Sequence, residues 1–129
     1  MKITENIVGI VDYNVGNVNS VRNAVERIGY RAIITGKADI LLQCSHLILP
    51  GVGAFEEAIY QLKKSGLIEF LEDAVFTKKV PILGICVGMQ LMLKSSTENG
   101  FNAGLGWIDG EVDLLKVPEN YSLPHVGWN

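Results

Sequence analysis

The chain has 129 residues, of which 48% are hydrophobic and 19% charged, with a formal net charge of −3 at pH 7. This size suits one domain, the apolar content excludes intrinsic disorder, and the scattered basic residues argue against nucleic-acid binding. No apolar run approaches the roughly 20 residues that span a bilayer, and Glu5 and Asn6 interrupt any signal-peptide core. We therefore predict a single domain over residues 1–129, located in the cytoplasm, that contacts neither nucleic acid nor membrane.

Apolar residues alternate along the chain between strand-like runs and helix-like spacing. Short apolar runs predict strands over residues 7–12, 30–35, 46–49 and 80–86, and a weaker alternation predicts a further strand over residues 111–116. Repeats of three and four residues predict helices over residues 18–28, 55–62 and 67–75, and from Cys86 to about Lys94.

This order of elements predicts an α/β fold with a mostly parallel sheet and helices on both faces. Ligands of such sheets bind beyond the carboxyl ends of the strands. Three loops follow predicted strands at that edge, namely residues 12–17, 50–55 and 86–90. We expect these loops to form the functional site.

The most specific motif is Gly84-Ile85-Cys86-Val87-Gly88, at a predicted junction between a strand and a helix. It is the cysteine form of the nucleophile elbow, in which the glycines permit a tight turn that exposes the sulfur. The helix N-terminus favours the thiolate, and the Val87 N–H is placed to donate to an oxyanion. The simpler alternative is an unreactive cysteine in a glycine-rich turn.

A second glycine-rich loop, Pro50-Gly51-Val52-Gly53-Ala54-Phe55, also links a predicted strand to a helix. Its glycines allow the backbone to approach a ligand and to turn N–H groups inward. It is a poor match to a dinucleotide-binding motif, because Glu56 stands where the third glycine belongs. An ordinary turn would explain the loop equally well.

Neither histidine is a convincing base for Cys86. His46 begins a predicted strand, so it lies toward the opposite sheet edge, and His125 lies in a loop after the last clear strand. Cys44 follows an apolar run and is expected to pack in the core. The two cysteines and two histidines show no metal-ligand spacing, so we predict no metal and no cofactor.

Together these motifs resemble the glutaminase subunits of imidazole glycerol phosphate synthases, which are class I (triad-type) glutamine amidotransferases. The resemblance implies a flavodoxin-like amidotransferase domain, and its motifs span nearly the whole chain in the family's order. The matching blocks are Asp12-Tyr13-x-x-Gly16-Asn17-x-x-Ser20-Val21, Pro50-Gly51-Val52-Gly53-x-Phe55, Gly84-Ile85-Cys86-x-Gly88-Met89-Gln90-Leu91, Gly104-Leu105-Gly106 and Pro124-His125-x-Gly127-Trp128-Asn129.

The resemblance implies that Cys86 attacks the side-chain amide of glutamine and forms a glutamyl thioester, which water hydrolyses to glutamate. Val52 and Val87 would supply the oxyanion N–H groups, Val52 only after a peptide turns. The residues that would bind glutamine are Gly51, Gly53 and Gln90.

The resemblance also implies a partner. Ammonia would pass to a synthase (cyclase) subunit of barrel fold, in a heterodimer that makes imidazole glycerol phosphate and aminoimidazole carboxamide ribotide in histidine biosynthesis. Asn17 and Trp128 would face that subunit, although Asn17 could instead cap the first helix and Trp128 could simply pack. Paralogues of this glutaminase feed other synthases, such as ones that amidate sugars, so the acceptor stays open at this point.

One departure from the family pattern concerns the catalytic base. The family's base and orienting acid form an H-x-E pair downstream of the Pro124–Asn129 block, and no H-x-E occurs in these 129 residues. We therefore expect the sequence to be the N-terminal part of a longer amidotransferase domain. Alone it would be nearly inert, because removing a triad member costs orders of magnitude in rate.

Two other functional classes fit parts of the pattern. A cysteine hydrolase of the dienelactone-hydrolase type also uses G-x-C-x-G, but Gln90 and the loop at residues 50–55 favour the amidotransferase. A non-catalytic flavodoxin-like binding module would contain the same elements with an unreactive Cys86.

Overall fold

The computed structural model describes residues 6–123. The elements in this range, in chain order, are β1 (Ile7–Val11), α1 (Val18–Arg27), β2 (Arg31–Thr35), α2 (Ala38–Leu41), β3 (His46–Leu49), α3 (Phe55–Ser65), α4 (Ile68–Glu72), a π-helical turn (Asp73–Thr77), β4 (Ile82–Gly84), α5 (Val87–Leu91), β5 (Leu93–Ser96), β6 (Asn102–Ala103) and β7 (Ile108–Val112).

The central sheet has four parallel strands in the order β2-β1-β3-β4. Its register places Val8 opposite His46, and Leu49 opposite Gly84. All four strands therefore end at the same edge, as the alternating sequence pattern predicts. The predicted α/β class with a mostly parallel sheet is confirmed.

Apolar residues pack on both faces of this sheet, which explains the continuous apolar runs in its strands. On one face, Val11, Leu47 and Leu49 join a large core cluster with residues of α3, α4 and α5. On the other face, Ile10 and Ile48 pack with Val25 of α1. Helices thus cover both faces, as predicted.

Helix α3 illustrates how the sequence forms these elements. Four of its residues are buried at helical spacing, namely Phe55, Ala58, Ile59 and Leu62. The helix ends at Gly66, whose φ of 74° is readily adopted only by glycine. None of the helices within residues 6–123 combines the length and apolar character needed to cross a membrane.

A second, smaller sheet corrects two predictions. The helix after Cys86 ends at Leu91 rather than near Lys94, because the chain turns into strand β5, which pairs with β7 in parallel and with β6 antiparallel. The strand predicted over residues 111–116 lies instead at Ile108–Val112. The N–H groups of Trp107 and Ile108 both donate to the Met92 carbonyl, which fixes the start of this pairing.

Exposed apolar side chains lie at the end of α1 and on the neighbouring edge strand β4. Ile28 and Leu83 are 72% and 57% exposed. With Val25 and Ile48 they line an apolar cavity of about 470 Å³ between α1 and the edge strand β4.

Candidate active site

Three loops meet at the carboxyl edge of the central sheet. Gly16 of the first loop lies against the second, since a Cβ built on Gly16 would be 3.2 Å from the Pro50 Cβ. Gly51 of the second loop lies against the third, since a Cβ there would be 2.6 Å from the Gly88 nitrogen. The predicted convergence of residues 12–17, 50–55 and 86–90 is therefore what the structure shows.

Cys86 occupies the turn between β4 and α5. Its φ of 56° and ψ of −124° lie outside the ordinary regions for a residue with a side chain, which costs about 1–3 kcal/mol. The turn leaves Cys86 exposed. Its carbonyl accepts hydrogen bonds from the N–H groups of Met89 and Gln90 at 3.0 and 3.2 Å, which closes the first turn of the helix. The predicted elbow geometry is present.

The two glycines of the elbow are required by close packing. A Cβ on Gly88 would overlap the Leu49 carbonyl oxygen, and a Cβ on Gly84 would lie 2.6 Å from the Met89 Cα. The Ile85 N–H also donates to the Leu49 carbonyl at 3.0 Å. The elbow is thus pressed directly against the end of β3, where the second loop begins.

The predicted oxyanion donor Val87 already has a partner in this structure. Its N–H donates to the Gly51 carbonyl oxygen at 3.3 Å. The following residue, Val52, is 54% exposed, and Gly53 after it has a φ of 86°. Rotation of the Gly51–Val52 peptide would remove the carbonyl from Val87 and point the Val52 N–H in its place.

Tyr13, in the loop after β1, contacts the second loop. Its hydroxyl donates to the Pro50 carbonyl at 2.5 Å, and its side chain is 2% exposed. Burial raises the pKa of Tyr13, so the hydroxyl stays a neutral donor at neutral pH. No role was assigned to Tyr13 from the sequence, although its position directly after a buried strand placed it at the site edge.

A polar cavity of about 180 Å³ lies beside Gly53. Its lining includes the start of α3 and residues after β5, among them Ser96, Glu98 and Asn102. Glu98 was not predicted as a site residue, because the sequence pattern extended the helix after Cys86 toward Lys94. With β5 in its observed place, the carboxylate lines a cavity that Gly53 also lines.

The remaining predicted site residues have simpler surroundings. Asn17 is exposed and caps α1, since its side-chain oxygen accepts from the Ser20 N–H at 3.3 Å. Gln90 lies on α5 and is half-buried. Trp128, predicted to face a partner, lies outside the described residues, as does His125.

The second cysteine and the histidine within the described residues do not join the elbow. His46 stands at the amino end of β3, with its Nδ1 2.9 Å from the Ser45 Oγ. Cys44 is buried, and burial raises the pKa of its thiol. Among the residues from 6 to 123, no group of three histidine, cysteine or acidic side chains could hold a metal ion.

Sequence comparison places this geometry among known proteins. The imidazole glycerol phosphate synthase subunit HisH 2 of Vibrio vulnificus is 46% identical over 121 residues, which cover 93% of this chain and 56% of that protein. HisH 2 of Methanococcus maripaludis is 42% identical, with coverages of 95% and 60%. HisH of Geobacillus kaustophilus is 44% identical, also with coverages of 95% and 60%. The chain thus spans less than two thirds of the length of these relatives.

A solved structure described as a glutamine amidotransferase has the same fold. It superposes with a TM-score of 0.70 at 22% identity, over 82% of this chain and 55% of the other. The family described as glutamine amidotransferase class-I matches residues 9–129, which include all three loops of the site. The chain therefore belongs to the class-I glutamine amidotransferase family.

Proposed function

We propose that the full-length protein containing this chain is the glutaminase subunit of an imidazole glycerol phosphate synthase. The observation that carries this proposal is the exposed Cys86 at a strained elbow, packed against a loop whose Gly51 carbonyl accepts from the Val87 N–H. A nucleophile beside a backbone donor is the arrangement that acyl transfer requires. The match to the class-I glutamine amidotransferase family favours glutamine as the substrate, and the HisH relatives at 42–46% identity favour the synthase subunit.

The reaction begins when the Cys86 thiolate attacks the side-chain amide carbon of glutamine. The carbonyl oxygen becomes an oxyanion, which the N–H groups of Val87 and Val52 stabilise. The histidine of the family's H-x-E pair, having taken the proton of the Cys86 thiol, gives it to the amide nitrogen. The C–N bond then breaks, ammonia leaves, and a glutamyl thioester remains on the sulfur. Water hydrolyses the thioester to glutamate. The base and its orienting acid are the H-x-E pair that the family resemblance implies downstream of these residues.

The orientation of the Gly51–Val52 peptide sets the rate in this proposal. With the Gly51 carbonyl bound to the Val87 N–H, one donor is occupied and the other points away. Removing a single oxyanion donor typically costs a factor of about 100–1,000 in rate. The described conformation is therefore the resting state, and the active state follows when this peptide turns.

Glutamine would bind across the loop and the adjoining cavity. Gly51 and Gly53 present backbone to the substrate without side-chain obstruction, and Gln90 offers an amide on α5. Glu98 lines the cavity beside Gly53, and its carboxylate is complementary to the α-ammonium group of glutamine. The exposed loop backbone, the Gln90 amide and the Glu98 carboxylate together suit a small polar amino acid.

The ammonia would pass to a synthase (cyclase) subunit of barrel fold in a heterodimer. Asn17, exposed at the start of α1, and Trp128 would face that subunit. The names of the relatives describe a synthase subunit, which supports this assignment. Two free cysteines suit a reducing compartment, so we place the enzyme in the cytoplasm.

The test is a glutaminase assay of the full-length protein with and without its synthase subunit. We expect glutamate and ammonia in equal amounts, stimulated by the synthase subunit, and a loss of at least about 1,000-fold in the Cys86→Ser variant. Hydrolysis of simple lactones without any hydrolysis of glutamine would instead support the cysteine-hydrolase alternative. Absence of both activities would support the binding module.

A further inference from the structure

The Pro50–Gly51 segment is held by the first loop. The Tyr13 hydroxyl donates to the Pro50 carbonyl. The hydroxyl oxygen also lies 2.9 Å from the position that a Cβ on Gly51 would take. Gly16, with a φ of 108°, approaches this segment as well, since its Cβ position is 3.4 Å from the Gly51 nitrogen. One buried hydrogen bond and one close backbone contact therefore fix the peptide between Pro50 and Gly51.

Exposure changes abruptly at Gly51. Pro50 and Gly51 are buried, whereas Val52, Gly53 and Ala54 are all exposed. Gly51 is thus the last buried residue before the exposed stretch, and the Gly51–Val52 peptide joins it to an exposed residue. Within residues 6–123, the Val87 N–H is the one backbone group that donates to the Gly51 carbonyl.

This boundary determines how the peptide can turn. A peptide plane rotates when ψ of the residue before it and φ of the residue after it change together, here ψ of Gly51 and φ of Val52. If the preceding peptide also moved, the Val52 N–H would arrive in a range of positions instead of one. Oxyanion donors act within a few tenths of an ångström of an optimal distance, so a fixed preceding peptide matters for catalysis.

We propose that Tyr13 is a positioning residue for the oxyanion donor of the second loop, acting through its hydrogen bond to Pro50. This inference rests on the proposed glutaminase function. The hydroxyl holds the Pro50–Gly51 peptide still while the Gly51–Val52 peptide turns. Tyr13 itself contacts neither glutamine nor the reacting atoms.

The test compares Tyr13→Phe with wild type in the full-length protein bound to its synthase subunit. Loss of the hydroxyl should lower kcat for glutamine by about tenfold and leave KM within about twofold, because only transition-state stabilisation is impaired. Tyr60→Phe is the matched control, since Tyr60 is exposed on α3 and should keep the wild-type kcat.

Two further readouts distinguish positioning from a general effect on folding. The rate at which iodoacetamide alkylates Cys86 should be the same in Tyr13→Phe and wild type, because the elbow does not depend on the hydroxyl. Incorporation of 3-fluorotyrosine at position 13 keeps the ring and makes the hydroxyl a stronger donor, so kcat should equal or exceed the wild-type value. If Tyr13→Phe does not fold, the 3-fluorotyrosine protein still tests the proposal.

An unchanged kcat in Tyr13→Phe would overturn the proposal, as would a kcat that falls only in proportion to the folded fraction. A lower kcat with 3-fluorotyrosine would contradict it as well. A wild-type complex without glutaminase activity is a different result, because it refutes the proposed function and is visible before any variant is made.

Discussion

The Gly51 carbonyl oxygen accepts a hydrogen bond from the Val87 N–H at 3.3 Å, and this contact joins two loops that are 36 positions apart in the chain. Under the proposed function, this carbonyl occupies the position that the oxyanion of the substrate would take. The turn that exposes Cys86 is therefore formed, while the Val87 N–H is occupied by the Gly51 carbonyl. Under the proposed function, control of the reaction would reside in a single peptide plane rather than in a large movement of the domain.

Gly53 is predicted to matter for activity beyond its effect on stability. Gly53 and Gly29 have φ values of 86° and 95°, and a Cβ on either would meet no atom within 4 Å. Each alanine substitution should therefore lower the free energy of unfolding by about 1–2 kcal/mol through backbone strain alone. In the full-length complex, only Gly53→Ala should also lower kcat/KM for glutamine, by about tenfold or more. Equal kcat/KM values in the two variants would remove Gly53 from the substrate site.

Gly88 is predicted to contribute strongly to stability. Alanine there would place its Cβ on the Leu49 carbonyl oxygen, at the point where the elbow is packed against β3. We expect a loss of at least about 3 kcal/mol in unfolding free energy, measured by urea denaturation. Gly110→Ala in β7 is the control, because its Cβ would meet only the Leu93 Cδ2 at 3.3 Å. A Gly88→Ala protein as stable as the control would show that the elbow is not packed as described.

The two thiols are predicted to differ in reactivity. Cys86 is exposed, whereas Cys44 is 6% exposed and burial raises its pKa. Iodoacetamide at neutral pH should therefore alkylate Cys86 at least about tenfold faster than Cys44, as measured by peptide mapping. In urea the two rates should converge, because unfolding exposes both thiols. Faster labelling of Cys44 in the native protein would contradict this arrangement.

Tyr13 is predicted to make the free energy of unfolding decrease as the pH rises in the alkaline range. Its pKa is raised in the folded state above the ordinary value near 10, so above pH 10 the unfolded chain releases this proton while the folded chain keeps it. The contribution of Tyr13 is complete below pH 10 and falls by about 1.4 kcal/mol per pH unit above it. The difference in unfolding free energy between wild type and Tyr13→Phe should thus shrink by about 1.4 kcal/mol from pH 8 to pH 11. An unchanged difference would show that Tyr13 ionises alike in both states.

Local patterns in the sequence were sufficient for most of the central sheet. Strands β1 and β3 are short apolar runs buried on both faces, and α3 shows its four buried residues at helical spacing. The elbow is also a local pattern, because two glycines and a cysteine within five residues determine the turn. These features could be predicted because each depends on neighbours within about one helical turn.

Features that depend on distant partners could not be predicted in this way. Leu93–Ser96 becomes a strand through pairing with Asn102–Ala103 and Ile108–Val112, although its own sequence also continues a helical pattern. The hydrogen bond from Tyr13 to Pro50 joins residues 37 positions apart. The position of Glu98 in the lining of the cavity beside Gly53 depends in turn on where β5 lies.

The most direct test of the central claim is to trap the acyl-enzyme. The full-length protein bound to its synthase subunit is mixed with glutamine, quenched rapidly in acid and examined by mass spectrometry. A glutamyl adduct on the peptide containing Cys86, released by hydroxylamine and absent from Cys86→Ala, is the predicted result. Glutamine turnover that continues in Cys86→Ala, with no adduct on the wild-type protein, would contradict the account.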